Sequence, residues 1–299
     1  EQRLPESAMA LMNEAAAYCV STKKGNPLVE PNDIAAIVEQ KTGIRAASIS
    51  QDEGQKLLRL EEEMHRRMIG QEEAVTLVAS ALRRARAEIR SKKRPIANFL
   101  FLGSTGVGKT ELAKTIAEIY FGGEQKMVRI DMSEYQDASS MYRLIGQPGA
   151  QGTGLLTEMV RQQPFSLVLL DELEKADPKV LDLFLQVFDD GRLTDSVGRT
   201  IDFSNTIVIA TSNAGTTFVQ EGIRAGRSLE EIRTELIRSE LKQYYRPEFL
   251  NRFDALVVFK PLNREETMRI GELMLHRVEK DLLERGIFFR VEQSGLEVL

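Results

Sequence analysis

The sequence has few of the residues that build disulfide-bonded, zinc-binding or membrane-spanning proteins. Its single cysteine, Cys19, cannot form a disulfide within the chain, as is typical of proteins from a reducing compartment. Its two histidines, His65 and His276, lie far apart and argue against a zinc site. No apolar run approaches the roughly 18 residues that a membrane helix needs. We therefore predict a cytoplasmic protein with no membrane partner.

The charge balance argues against nucleic acid as a partner. The chain has 40 basic and 45 acidic residues, so its net charge of −5 gives no bulk attraction to nucleic acid or to an anionic membrane. Basic runs at residues 83–86 and 91–94 are expected to be solvated surface. The length of 299 residues is enough for one large domain or two modest ones.

A glycine-rich segment fits the pattern G-x-x-x-x-G-K-[ST] in full. It follows a short apolar run at residues 99–102 and precedes a run of helix-forming residues at 111–117. A strand, a glycine loop and a helix N-terminus together cradle phosphate with backbone N–H groups and the helix dipole. An accidental glycine turn would not have this context, so we predict a site for ATP or ADP with Mg²⁺. The segment consists of Gly103, Ser104, Thr105, Gly106, Val107, Gly108, Lys109 and Thr110.

The end residues of that segment have distinct expected roles. Lys109 would reach the β- and γ-phosphates of the nucleotide, and the hydroxyl of Thr110 would bind Mg²⁺.

Two acidic residues follow the aliphatic run at residues 167–170, which we predict to be a buried strand. Ligands of parallel sheets bind at the carboxyl ends of the strands. There, Asp171 would hold Mg²⁺, directly or through water, and Glu172 would polarise the attacking water as general base. The alternative is that both acids open the next helix, but Asp177 already provides an N-cap for that helix.

A further apolar run, at residues 206–210, is also followed by polar residues, among them the candidate site residue Asn213. The amide of Asn213 could orient the water against the γ-phosphate, although a strand-ending asparagine that makes a turn is the better interpretation on its own. The strand pattern by itself leaves several P-loop families open. Two later helices are predicted to begin with capping boxes. These boxes pair Ser228 with Glu231 and Asn263 with Glu266.

At this point the sequence resembles one family closely: the Clp-type AAA+ ATPases of the ClpA, ClpB and ClpC group, and within them the second ATPase ring. The similarity covers roughly residues 65 to 299, and residues 1–45 resemble the tail of the first ring's small domain and a linker. The matching phrases are residues 68–71, 101–110, 129–135, 169–176, 190–195, 211–213 and 246–252.

The resemblance implies an α/β fold: a three-layer P-loop AAA+ domain with a parallel central sheet, at residues 46–260. A mostly helical small subdomain would begin at residue 261 and is expected to be truncated at Leu299, with the family's second sensor arginine lying beyond that residue. Because the chain opens on Glu1 and not on methionine, we expect it to be a fragment of a longer polypeptide.

The resemblance also implies roles for individual residues. Ile69 would pack against the adenine, and Asn213 would be the sensor amide. Arg252 would be an arginine finger that reaches the γ-phosphate of a neighbouring subunit, which requires an oligomer, by analogy a hexamer. Without the family, Arg252 could equally be a surface ion-pair partner. The loop at residues 191–200 would face a central pore.

Three departures from the family pattern bear on function. The first pore loop usually carries an aromatic residue, but residues 146–154 are shorter and contain none. Residues 18–33 leave no room for the coiled-coil insertion of the disaggregases, which argues against a DnaK-type partner. No Ile-Gly-Leu or Ile-Gly-Phe tripeptide lies between Asn213 and Arg246, which argues against docking to the ClpP protease.

The sequence therefore predicts an ATP-driven unfoldase or remodelling module that acts on unfolded or aggregated polypeptides. One alternative is a nucleotide-gated AAA+ scaffold without threading, which the absent pore aromatic favours. Another is a nucleic-acid-acting AAA+ motor, which the acidic charge balance opposes.

Overall fold

The computed structural model describes residues 6–22, 28–42, 52–87, 93–147 and 153–289, and the chain divides into two compact units at residues 1–59 and 60–299. In the first unit, α1 (Glu6–Thr22) packs against α2 (Pro31–Thr42). The side chains of Ala15, Cys19 and Ile37 are buried there. The carboxylate of Asp33 accepts the backbone N–H of Glu30 at 2.8 Å and so caps the start of α2.

The second unit is built on a five-stranded sheet in which every pair of neighbours is parallel. Its strands are β1 (Ala97–Leu102), β2 (Met127–Asp131), β3 (Leu167–Asp171), β6 (Ile207–Ser212) and β7 (Ala255–Val258). They lie in the order β2-β3-β6-β1-β7, so the first strand is flanked by two later ones. The predicted parallel central sheet is confirmed.

Helices flank this sheet, and two of its three interior strands, β1 and β6, are buried along their whole length. Continuous apolar strands are typical of parallel sheets covered on both faces. None of the described helices is long and apolar enough to cross a membrane. The helices are α3 (Asp52–Arg67), α4 (Glu72–Ala87), α5 (Lys109–Phe121), α6 (Met141–Ile145), α7 (Leu155–Gln162), α8 (Pro178–Asp190), α9 (Thr216–Arg224), α10 (Leu229–Arg238), α11 (Pro247–Leu250) and α12 (Arg264–Leu283).

The predicted helix caps are present. Ser228 and Glu231 form a capping box at the start of α10. The Asp177 carboxylate accepts the N–H of Lys179 at 2.8 Å at the start of α8. At α12 the Asn263 side chain likewise accepts the N–H of Glu266 at 2.8 Å. These caps satisfy N–H groups that a helix start leaves without an intrahelical partner.

An aromatic cluster fixes the end of α8 against the segment that carries Arg252. The ring centroid of Phe188 lies 5.6 Å from that of Phe249 and 5.2 Å from that of Phe253. Tyr245 stacks on Phe249 at 5.9 Å. Aromatic pairs at such separations add to the stability that burial provides. The backbone around Arg252 is therefore held in a defined position beside α8.

A small antiparallel hairpin, β4 (Arg192–Thr194) with β5 (Thr200–Asp202), follows α8. The buried carboxylate of Asp195 shapes its turn by accepting the N–H groups of Val197 and Arg199 at 3.1 and 2.8 Å and the Nε–H of Arg199 at 2.7 Å. Burial opposes ionisation of Asp195, but these hydrogen bonds hold its pKa below the usual value. Residues 148–152 of the predicted glycine loop lie outside the described residues.

Two glycines of this hairpin region allow a matched test of backbone crowding. Both have positive φ, 57° at Gly191 and 81° at Gly198. A Cβ at Gly191 would lie 2.1 Å from the carbonyl oxygen of Lys93, whereas a Cβ at Gly198 would meet nothing within 4 Å.

We expect Gly198→Ala to lower the free energy of unfolding by about 1 kcal/mol, the cost of the left-handed backbone alone. Gly191→Ala should lower it by about 2 to 4 kcal/mol, because the added methyl group also displaces the Lys93 backbone. Urea unfolding midpoints of the two variants measure the difference. Equal losses would show that the close approach of residue 93 does not matter for stability.

Candidate functional site

A cavity of about 460 Å³ lies at the carboxyl ends of β1, β3 and β6. This is the position at which parallel sheets bind ligands, next to the point where the strand order changes direction. The sequence-predicted site residues that line it are Ile69, Thr105, Gly106, Val107, Gly108, Lys109, Thr110, Asp171, Glu172 and Asn213. Gly103 and Ser104 contribute carbonyl oxygens beneath it, and Arg252 is not part of its lining.

The glycine loop between β1 and α5 adopts backbone conformations that glycine accommodates best. Gly106 and Gly108 have φ angles of 83° and 101°, in the left-handed region. Gly108 is the N-cap residue of α5, and no side chain caps that helix. The N–H groups of the first turn of α5 are therefore open to an anion, as in other phosphate-binding helix starts.

The ammonium group of Lys109 is enclosed beneath the loop, and the residue is only 8% exposed. It donates hydrogen bonds to the carbonyl oxygens of Gly103 and Ser104 and, at 2.8 Å, to the amide oxygen of Asn213. Burial lowers the pKa of Lys109 below its ordinary value, and the carboxylates of Glu174, Asp171 and Glu172 oppose that effect. A cationic group is thus held at the cavity by bonds that phosphate oxygens can replace.

The acidic pair lies at the end of β3, with Asp171 as the last residue of the strand and Glu172 directly after it, in different environments. Asp171 accepts a hydrogen bond from the Thr211 hydroxyl on Oδ1 and pairs with Arg129 through Oδ2 at 2.6 Å. Glu172 is the one described non-glycine residue with positive φ, at 55°. Its backbone N–H donates to the Thr211 hydroxyl at 3.1 Å. Strained backbone of this kind is concentrated at functional sites, where neighbouring contacts hold it in place.

Asn213 is tied to both neighbouring strands. Its backbone N–H donates to Oε1 of Glu174 at 3.1 Å, while its amide oxygen accepts from Lys109. The second carboxylate oxygen of Glu174 is buried and has no hydrogen-bond partner among the described residues. The three residues Lys109, Asn213 and Glu174 therefore connect the segments that follow β1, β6 and β3.

Four residues that the sequence did not single out also shape the site: Gln71, Arg129, Glu174 and Thr211. The buried side chain of Gln71 donates to the carbonyl oxygens of Val107 at 3.1 Å and Lys260 at 2.8 Å, and accepts the N–H of Lys260 at 3.2 Å. It thereby joins the glycine loop to the segment after β7. All four stand in phrases that matched the family, so a signal for them existed in the sequence; their contacts depend on the fold.

Arg252 makes its ion pair outside the cavity. Its Nε lies 2.6 Å from Oδ1 of Asp189, and a terminal nitrogen of Arg94 lies 3.3 Å from the same oxygen. Within its own chain Arg252 is an ion-pair partner of Asp189. Its action on a neighbouring subunit stays a prediction.

Thr211 offers a test of the contacts behind the acidic pair, because its hydroxyl serves Asp171 and Glu172 together. Thr211→Val keeps the side-chain shape but leaves the Glu172 N–H without its acceptor, so we expect a loss of about 1 to 3 kcal/mol in the free energy of unfolding. Thr211→Ser keeps the hydroxyl and should lose less, about 1 kcal/mol for one buried methyl group. Urea titrations of both variants measure this, and a valine variant as stable as the parent would contradict the assigned hydrogen bonds.

Comparison with known proteins agrees with this geometry. A family model described as AAA domain (Cdc48 subfamily) matches residues 94–256. The chaperone protein ClpB of Meiothermus ruber is 51% identical over 292 residues, covering 96% of this chain and 34% of that protein. A ClpA homolog of Cyanidium caldarium, described as an ATP-dependent Clp protease ATP-binding subunit, is 46% identical over 285 residues, which are 91% of this chain and 32% of that protein. The chain thus spans about a third of the length of these relatives.

Solved structures show the same fold. A closed-state cryo-EM reconstruction of Hsp104 with ATPγS and FITC-casein superimposes with a TM-score of 0.79 at 36% identity, over 93% of this chain and 48% of that one. An ADP complex of Hsp104 from S. cerevisiae gives a TM-score of 0.79 at 35% identity, over the same 93% and 48% shares. The chain therefore belongs to the AAA domain family of the Cdc48 subfamily and is similar to its Clp-type members, as the sequence predicted.

Proposed function

We propose that this chain is a Mg²⁺-dependent ATPase module that works in a ring to unfold or remodel polypeptides. The observation that carries the proposal is the convergence of Lys109, Asp171, Glu172 and Asn213 on one cavity beside the glycine loop. The names of the relatives support it: ClpB is called a chaperone protein, and the ClpA homolog is called an ATP-binding subunit. The Hsp104 structures were solved with ATPγS and with ADP.

In the binding step, the phosphates of the nucleotide bind to the glycine loop at residues 103–110. Backbone N–H groups of residues 105–110 surround the anion, and Lys109 exchanges its bonds to carbonyl and amide oxygens for bonds to phosphate oxygens. Ile69 and the α12 residues Leu273 and Met274 line the same cavity and offer an apolar surface to the adenine ring.

The residues around Asp171 fit a magnesium ion. The Asp171 side chain is 14% exposed, lies at the cavity and presents carboxylate oxygens, and Thr110 lines the same cavity with its hydroxyl. Mg²⁺ prefers such oxygen ligands. Thr110 and Asp171 would hold the ion directly or through water, and the ion would supply positive charge to the phosphate oxygens.

In the hydrolysis step, Glu172 accepts a proton from a water molecule that attacks the γ-phosphate in line with the leaving ADP oxygen. The bond from the γ-phosphorus to the β–γ bridging oxygen breaks as the new P–O bond forms, giving ADP and phosphate. The amide of Asn213 orients the water, and the Lys109 ammonium stabilises the charge that develops on the phosphate oxygens.

Arg252 is proposed to act on the nucleotide of a neighbouring subunit in a hexameric ring. Its distance from the cavity of its own chain supports this role, since it does not line that cavity and is instead held at α8 by Asp189. The hairpin at residues 191–202 is proposed to face the pore of the ring.

Exposed apolar side chains on the segments beside residues 146–154, the expected first pore loop, support a polypeptide as the substrate. Tyr142, Leu155 and Val197 are 42%, 49% and 57% exposed. The backbone brings their segments together, because the N–H of Ser196 donates to the carbonyl oxygen of Ile145 at 2.9 Å. An extended chain with apolar side chains could pack on this surface although the loop itself has no aromatic residue. A nucleotide-gated scaffold without threading is the alternative that the absent aromatic favours.

The remaining assignments come from the sequence alone. We propose the domain limits of 1–45, 46–260 and 261–299, and a cytoplasmic location.

Glu172→Gln is expected to lower ATP turnover by about 10² to 10⁴-fold while ATP still binds, because the amide cannot accept the proton from water. Phosphate release and titration with a fluorescent ATP analogue measure the two effects. Glu62→Gln removes an exposed carboxylate on α3 and should change neither. Unchanged turnover in the Glu172 variant would refute the assigned base.

The same variant separates a remodelling enzyme from a scaffold. A stalled, ATP-loaded remodelling module should retain fluorescein-labelled casein, and a scaffold should not. Fluorescence anisotropy of the labelled casein, with and without ATP, reports the outcome.

Arg252→Ala is expected to bind ATP normally and to lose about 10³-fold or more in turnover. If Arg252 acts in a neighbouring subunit, mixing this variant with the Glu172→Gln variant should restore measurable turnover. Some subunit interfaces in the mixture then combine an intact Glu172 with an intact Arg252. Arg94→Ala, which removes the other arginine at Asp189, serves as the control. A mixture no more active than its components would contradict action between subunits.

A further inference from the structure

Arg129 is a charged residue of the cavity that the proposed binding and hydrolysis steps do not use. It stands at an exposed position of β2 and lines the cavity. In the register of β2 with β3, Asp131 lies opposite Asp171, so Arg129 is two residues away from that position and reaches Asp171 diagonally. Its guanidinium lies 2.6 Å from Oδ2 of Asp171.

This contact leaves both oxygens of Asp171 engaged. Oδ1 accepts the hydroxyl of Thr211, which is buried and also bonded to the backbone of Glu172. Oδ2 faces Arg129, whose side chain is 55% exposed. Thr211 is therefore the fixed partner of Asp171, and Arg129 is the partner that can leave, because a long and half-exposed side chain can turn into solvent at little cost.

We propose that Arg129 competes with the magnesium ion for the Asp171 carboxylate, so that its guanidinium occupies the metal position while no nucleotide is bound. The inference rests on the proposed function, in which Asp171 holds the metal. A guanidinium and a metal ion cannot share one carboxylate oxygen at contact distance, so the incoming ion displaces Arg129. Part of the attraction between the metal and the site is then lost in breaking the ion pair.

Competition with the metal differs from direct binding of phosphate in its effect on affinity. A phosphate ligand would strengthen nucleotide binding whether magnesium is present or not. A competitor weakens binding only in the presence of magnesium, since without metal the ion pair stays intact. The dissociation constant of the nucleotide, measured in magnesium and again in EDTA, therefore separates the two roles.

The experiment uses mant-ADP, which cannot be hydrolysed as ATP is, titrated against the full chain and against Arg129→Gln. In magnesium, the dissociation constant of the variant should fall by about threefold to tenfold, the range expected for an ion pair of this exposure. In EDTA it should stay within about twofold of the parent value. Arg129→Lys keeps a cation, so the dissociation constant of mant-ADP measured in magnesium should return toward that of the parent.

Arg161→Ala is the matched control, because Arg161 also makes an exposed ion pair, with Glu158, but does not line the cavity. It should change neither constant. Weaker binding of the Arg129→Gln variant under both conditions would overturn the inference in favour of a phosphate ligand. The inference would also be overturned if the Arg129→Gln variant bound mant-ADP more weakly in EDTA and no more tightly in magnesium. If the parent chain bound mant-ADP with no effect of magnesium, the proposed metal site itself would fail.

Discussion

The site depends on how the chain holds one buried cation at the ends of three strands. The Lys109 ammonium is buried and donates hydrogen bonds to carbonyl oxygens of the glycine loop and to the amide oxygen of Asn213. Burying a charge is unfavourable unless hydrogen bonds and opposite charge compensate for it. Glu174, Asp171 and Glu172 supply the opposite charge, so the acidic residues at the end of β3 stabilise the lysine after β1.

The strand order makes this arrangement possible, because β6 lies between β3 and β1. Thr211, near the end of β6, bonds to the side chain of Asp171 and the backbone of Glu172 at the end of β3. Asn213 bonds to Glu174 on one side and to Lys109 on the other. Gln71 adds a further connection, from the glycine loop to the segment after β7. The residues that position the site are thus buried polar groups with defined partners, which fix one geometry more strictly than apolar packing does.

The sequence predicted those parts of the site that depend on neighbouring residues along the chain. The glycine loop, the acidic pair after an apolar strand and the capping boxes all have local patterns, and the predicted loop, acidic and Asn213 residues do meet at one cavity. The strand order could not be predicted from the residues. Because contacts between distant segments depend on that order, the pairs Arg129–Asp171, Gln71–Lys260 and Arg252–Asp189 could not be predicted either. The short helices α6, α7 and α9 were also missed, since each is too brief to show a clear period.

The contacts of Lys109 and Asn213 explain how nucleotide binding and hydrolysis would be linked in the proposed mechanism. Asn213 uses its amide oxygen to accept a hydrogen bond from Lys109. In the proposed mechanism the same amide orients the attacking water, and Lys109 turns to the phosphates. The amide oxygen therefore loses its lysine donor when a phosphate takes up that hydrogen bond, and the amide can turn its hydrogen-bonding groups to the water. In that mechanism a water molecule is positioned next to Glu172 when there is a phosphate to attack.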